Sequence, residues 1–304
     1  MNILVRLGRS ARAFHRELTR PVEESAPNPQ KRPTLGLALG GGFARGMAHL
    51  GVLKVLEEEQ IPIDFIAGTS VGALVGAAYC SGLSAQELEE MAGQVRFRDF
   101  ARWTVSRLGF ASTDRMTPLL QRLLKVKTFE ELRIPLAVTA TDFRTGEGVV
   151  FRSGPLIDPV RASCAYPGLF LPVEIDGRLL VDGLLAHAVP TAPLRKNGAS
   201  HVIAVFLRSN LMDGTDGPRH VFDVIGQCFS IAQANMSEIW QKDADLVLEP
   251  DVAGFPYDCF DRSRELVKIG EKVAREALPA IRQWSPPKPR PVHMPAGRVQ
   301  PAAL

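Results

Sequence analysis

The sequence predicts an α/β fold built around a mainly parallel sheet. Two observations carry that expectation. Short apolar strand signals alternate with helix signals along residues 34–284, and two of the strand-to-helix junctions are rich in glycine, as tight turns of this kind are. The strands are also apolar at nearly every position, which suits a parallel sheet covered on both faces.

Taken in order, Thr34–Leu39 reads as the first strand and runs into Gly40-Gly41-Gly42. A helix is expected over residues 45–59, with Leu50, Leu53, Val55 and Leu56 turned toward the sheet. Asp64–Ala67 is a second strand, and Val71–Ser81 a helix of Ala, Leu, Val and Gly. Further helices are expected at 84–95 and 115–125, with Asp114 as N-cap of the latter. Pro135–Asp142 and Glu147–Phe151 read as strands joined through Thr145-Gly146, and Val173–Ile175 with Arg178–Val181 as a hairpin around Asp176-Gly177. Val202–Leu207 and Asp245–Leu248 complete the strands, with long helices at 219–242 and 261–283.

Composition excludes several classes. With 45% hydrophobic and 23% charged residues among 304, the chain is neither disordered nor collagen-like. A net charge of +3 is too small to imply nucleic acid as a partner. No run approaches the roughly 20 apolar residues of a spanning helix. Arginines interrupt the first apolar positions, so no secretory signal is expected. Cys80, Cys164, Cys228 and Cys259 form no C-x-x-C pair, have no zinc spacing and sit among apolar or small neighbours. They are expected to be buried thiols in a cytoplasmic protein that needs neither metal nor cofactor.

Three regions follow from charge and proline. Residues 1–20 carry five arginines against Glu17, whereas the remainder of the chain sums to −1. On a helical wheel, Leu4, Leu7, Ala11, Phe14 and Leu18 share one face and the arginines the other. Such a helix either lies in an anionic membrane interface or packs its stripe on this protein or a second subunit. With the proline-rich linker, this region spans residues 1–33. The folded domain is expected at 34–284, and 285–304, with six prolines, as an extended tail. Residues 208–220 read as a lid or as a solvated loop. Nothing in the sequence specifies an oligomeric state.

Chemistry concentrates at three places. Gly68-Thr69-Ser70-Val71-Gly72 is a G-x-S-x-G between a strand and a helix, a context that lifts the serine hydroxyl above the sheet edge and aims helix amides at it. A simple tight turn is the alternative. In Gly40-Gly41-Gly42-Phe43-Ala44-Arg45-Gly46, the backbone N–H groups of Gly41, Gly42 and Phe43 could form an oxyanion hole. A phosphate loop or a structural turn are the other readings, although neither a G-x-G-x-x-G nor a P-loop lysine can be placed there. Asp182-Gly183 follows a short strand, where a turn is the plain alternative. None of the six histidines has a neighbouring pattern that marks it as a base.

Together, in this order and spacing, the three motifs resemble the patatin-like phospholipases, lipid acyl hydrolases that include plant patatin and the catalytic domain of neuropathy target esterase. The resemblance covers residues 34–210, including Arg161-Ala162-Ser163 and Tyr166-Pro167-Gly168-Leu169-Phe170. It implies a three-layer α/β/α sandwich, a lipid ester substrate, Ser70 as nucleophile and Asp182 as its proton acceptor. Gly41, Gly42 and Phe43 would supply oxyanion amides, with Arg45 as the loop's basic residue. The sequence departs from the family where Phe43 replaces a common glycine, where Leu184 follows Asp182-Gly183, and where His187 stands in place of Asn. Two rival functions remain: a Ser70–Asp182–His187 or Ser70–Asp182–His201 triad of an α/β-hydrolase, and a lipid-binding module without catalysis.

Overall fold

A seven-strand path with one side strand forms the centre of the computed structural model, which describes residues 32–94, 96–104, 106–208, 217 and 221–284. The expected N-terminal helix, its linker, the proline-rich tail and nearly all of the 208–220 loop lie outside these residues.

The chain enters β1 (Leu35–Leu39), turns through a 3-10 segment at Phe43–Gly46 into α1 (Met47–Glu58), and returns along β2 (Phe65–Thr69). After α2 (Val71–Cys80), α3 (Ala85–Ala92) and α4 (Phe97–Phe100), a small ribbon pairs β3 (Arg102–Trp103) with β4 (Ala111–Ser112). Helix α5 (Met116–Leu123) leads to β5 (Leu136–Asp142) and β6 (Gly148–Phe151). Helix α6 (Ile157–Ser163), the β7 (Val173–Ile175) and β8 (Arg178–Asp182) hairpin, α7 (Thr191–Lys196) and β9 (His201–Val205) follow. The chain then forms α8 (Val221–Asn235), α9 (Ser237–Gln241), β10 (Leu246–Leu248) and α10 (Ser263–Trp284).

Sheet order is β10-β9-β1-β2-β5-β8-β7, with β6 also on β5. The first five strands run parallel, β6 and β8 run antiparallel to β5, and β7, antiparallel to β8, returns to the direction of the first five, so the sheet is mainly parallel with a mixed end. Short turns explain the β5–β6 and β7–β8 pairings, because a tight hairpin can only join antiparallel neighbours.

Alternation along the strands divides the core. Leu35, Leu37, Leu39, Ile66, Leu136 and Val138 belong to a large cluster that takes in α1, α2, α3 and α10. Ala38, Ala67, Ala137 and Ala204 face the other way, onto Leu194 of α7 and Trp240 of α9. Bulky side chains fill one gap and alanines admit close helices on the other, giving helices on both faces. Leu50, Leu53, Val55 and Leu56 are all buried, because α10 covers the side of α1 that the sheet does not.

Several expectations need correction. Asp114 is not the N-cap. Ser112 Oγ accepts the Asp114 N–H at 3.1 Å, and the Asp114 carboxylate instead pairs with Arg161 at 2.8 Å and Arg102 at 3.3 Å. The helix expected at 219–242 is broken at Met236, where Ser237 Oγ donates to the Ala234 carbonyl and takes that acceptor from the helical ladder. Of the four thiols, Cys80 and Cys259 are buried and Cys164 is half-buried, but Cys228 is exposed on α8.

Candidate active site

Ser70 stands between β2 and α2 with φ 56° and ψ −124°, a conformation that L-residues avoid and that persists only where the surroundings enforce it. Three contacts do so. Its N–H donates to Ser163 Oγ at 2.8 Å. Thr139 Oγ1 lies 2.7 Å from Thr69 Oγ1, which in turn donates to the His187 carbonyl at 2.7 Å. The flanking glycines permit backbone contact: a Cβ on Gly68 would lie 2.4 Å from the Gly72 carbonyl oxygen, and one on Gly72 2.1 Å from that of Leu39. The turn is therefore fixed from both sides, and the N-terminal amides of α2 point toward the serine.

Strand register brings in the carboxylate. Thr69 opposes Thr139 and Asp182 opposes Ala140, so residues 69 and 182 flank consecutive positions of β5 and Ser70 follows directly on the first. Ser70 Oγ donates to Asp182 Oδ2 at 2.7 Å, and Asp182 Oδ1 accepts the Leu184 N–H at 2.9 Å. Asp182 has no exposed surface. Burial raises its pKa to about 7, against the opposing pull of the bonds from Ser70 and Leu184. A carboxylate so raised is matched to proton transfer near neutral pH, which an ordinary aspartate is not. Gly183 continues the turn without a side chain, against the Thr139 carbonyl.

The glycine-rich loop closes the other side. Gly40 N–H donates to the Val205 carbonyl at 3.1 Å, and Gly41 N–H to that of Ala188 at 3.3 Å. The Gly41 amide, expected in the oxyanion hole, is thus engaged by a backbone carbonyl, whereas those of Gly42 and Phe43 have no acceptor among the described residues. His49 is fully buried and Nε2 lies 2.8 Å from the Gly40 carbonyl oxygen; burial lowers its pKa to about 4, so the ring is neutral and donates there. Gly46 packs against the Val71 side chain. Phe43 has φ 51°, and its ring meets Tyr166 edge-on at 4.9 Å and Tyr257 at 5.8 Å, so aromatic packing holds the loop where a glycine was expected. Arg45 is 5% exposed, its Nε donates to the Gly42 carbonyl at 3.4 Å, and burial lowers its pKa. No carboxylate among the described residues lies within ion-pair distance of it.

These groups share a cavity of about 510 Å³ that Gly41, Gly42, Phe43, Arg45, Ser70 and Tyr166 line. A narrower crevice of about 60 Å³ shares Ser70 and Phe43 with it and is otherwise apolar, with Met47, Leu74 and Phe100 among its walls. Neither His187 nor His201 lines the Ser70 cavity. The His187 ring packs against Gly148 and lines another cavity, and burial lowers its pKa, as does Lys196 to a lesser degree. His201 stacks on Trp284 at 4.7 Å, with Nδ1 3.8 Å from Asp245. Among the described residues no group of three or more His, Cys, Asp or Glu is placed to hold a metal.

The sequence points to Ser70, Asp182 and the loop but not to the residues packed around them. Ser163 stands in the sequence only within a family-like segment, and His49 only as one of six histidines with no marking pattern. A buried polar side chain on an apolar helix is the signal that His49 offers.

Comparisons with known proteins identify the family. The family model described as patatin-like phospholipase matches residues 37–195. An uncharacterised NTE family protein of Mycobacterium tuberculosis is 37% identical over 181 residues, covering 59% of this chain and 50% of the relative. Patatin-like phospholipase domain-containing protein 6 of Homo sapiens is 35% identical over 196 residues, 60% of this chain and 14% of that protein. A lysophospholipase of Mycosarcoma maydis is 33% identical over 233 residues, 73% of this chain and 12% of that protein. The chain thus spans half the length of the mycobacterial relative and less of the other two. Among solved structures, VipD from Legionella pneumophila superposes with a TM-score of 0.49 at 12% identity, covering 82% of this chain and 67% of that one.

Proposed function

This chain belongs to the patatin-like phospholipase family, and from that premise we propose that it is a serine hydrolase cleaving fatty-acyl esters of phospholipids or lysophospholipids. The observation that carries the reading is the 2.7 Å bond from Ser70 Oγ to a buried Asp182 whose pKa is raised to about 7. Ser70 transfers its proton to Asp182 Oδ2 as Oγ attacks the ester carbonyl carbon. The carbonyl oxygen becomes an oxyanion and takes hydrogen bonds from the Gly42 and Phe43 amides and the α2 N-terminus, with Gly41 lining the same pocket. Collapse breaks the ester C–O bond, and the leaving alkoxide recovers the proton from Asp182. Water then gives a proton to Asp182 and attacks the acyl-serine, releasing a fatty acid and returning hydrogen to Ser70.

Two features favour a lipid ester. The apolar crevice at Ser70 suits an acyl chain, and the buried, unpaired Arg45 guanidinium suits a phosphate on the same molecule. No helix among the described residues is long and apolar enough to cross a membrane. A cytoplasmic enzyme working at the inner membrane face fits this reading, with residues 1–20 as an additional contact.

Labelling with a fluorophosphonate tests the proposal. Wild-type protein is expected to be modified at Ser70 and to release fatty acids from a total lipid extract, as detected by mass spectrometry. Absence of both would leave a lipid-binding module as the function.

A further inference from the structure

Around the mouth of the Ser70 cavity, the usual arrangement of apolar residues is inverted. The β3–β4 ribbon is fixed at its base, where Phe110 and Ala111 N–H groups donate to the Leu169 carbonyl at 3.0 and 2.9 Å. It nevertheless shows solvent three large apolar side chains: Trp103 is 65% exposed, Leu108 66% and Phe110 52%. Trp103 also lines the cavity. Across the mouth, α8 lines the same cavity with Asp223, Gly226, Ser230 and Gln233, at helical spacing. Its neighbouring stripe of Val221, Val224, Cys228 and Ile231 is exposed. An amphipathic helix ordinarily buries such a stripe.

Charge completes the pattern. Residues 94–115 hold five arginines (Arg96, Arg98, Arg102, Arg107 and Arg115) against Asp99 and Asp114, and all five arginines are exposed. The excess of exposed arginines complements anionic headgroups, and the exposed Trp, Leu and Phe between them suit the boundary of an anionic bilayer. The position gives the surface a purpose, since a lipid drawn from the bilayer would enter the cavity without crossing water.

We propose that the ribbon tip and the outer stripe of α8 form a docking surface for an anionic lipid bilayer, which seats the cavity mouth against the membrane. This rests on the lipid-hydrolase reading above but is tested separately from it. The double variant Arg107→Glu/Leu108→Glu changes two residues of the tip that do not line the cavity. In the full-length chain it is expected to weaken binding to phosphatidylcholine–phosphatidylglycerol vesicles by at least about tenfold in partition coefficient. Hydrolysis of a soluble p-nitrophenyl ester and fluorophosphonate labelling should stay at wild-type levels. In the wild type, brominated phosphatidylcholine in the same vesicles should quench tryptophan emission, and Trp103→Phe should remove that quenching.

Vesicle binding unchanged in the double variant, with no quenching assignable to Trp103, would overturn the docking surface even if Ser70 is active. So would sedimentation showing that the tip mediates self-association while vesicle binding is unaffected. Loss of labelling in the wild type would instead count against the hydrolase reading, and the vesicle result would be read on its own.

Discussion

Asp182→Asn is expected to lower kcat/KM on a p-nitrophenyl ester by about 10³–10⁴-fold, the loss that follows removal of a general base. The same substitution should stabilise the fold. Burial moves the carboxyl from 3.8 to about 7, so ionised Asp182 is less favourable in the folded protein than in the unfolded chain. That gap corresponds to about 4 kcal/mol. Below pH 3.8 both states are protonated and the penalty is absent; it grows with rising pH and is complete above about pH 7. An Asn carries no such charge, although its amide cannot accept from both Ser70 and Leu184 and so recovers only part of the gain. Thermal melts of both proteins should show the advantage of the variant growing from pH 4 to pH 8, by up to about 4 kcal/mol. A constant difference across that range would contradict the burial of an ionisable carboxyl.

Gly72→Ala is expected to abolish the folded state or to cost more than about 4 kcal/mol. The new Cβ would fall 2.1 Å from the Leu39 carbonyl oxygen, 2.6 Å from its carbon and 2.8 Å from the Gly40 oxygen, all backbone atoms that cannot swing aside. Relief would require α2 to lift from the end of β1, which would separate Ser70 from the glycine loop. Gly76→Ala, one turn along the same helix, is the control. Its Cβ meets side chains alone, those of Ile66 and Leu136 at 3.2 Å and Leu39 at 3.8 Å, and alanine favours a helix by about 1 kcal/mol over glycine. Urea unfolding should therefore find Gly76→Ala close to the wild type and Gly72→Ala far below it.

Local chemistry was legible in the sequence and tertiary orientation was not. Gly68 and Gly72 around Ser70 announce a cramped strand-to-helix turn, because only glycine tolerates the carbonyls that crowd it. That Asp182 would reach Ser70 depends on β8 pairing with β5, and no pattern within residues 178–182 reveals this; family resemblance supplied it instead. Ser163 and His49 escaped for the same reason, since their partners, the Ser70 N–H and the Gly40 carbonyl, are backbone groups. Periodicity identified α8 as a helix, but it could not tell that the Val221, Val224, Cys228 and Ile231 stripe faces outward, and so Cys228 was misplaced in the interior. The Asp114 cap failed because Ser112 competes for the same role two residues earlier.

The central claim is that a carboxylate, with no imidazole, activates Ser70. Its most direct measurement is the pH dependence of the rate at which a fluorophosphonate labels Ser70, taken in the wild type and in His187→Asn. Both proteins should show a single ionisation near pH 7, the rate falling about tenfold per pH unit below it. A flat profile in the wild type, or loss of the ionisation in His187→Asn, would assign the proton acceptor to another group.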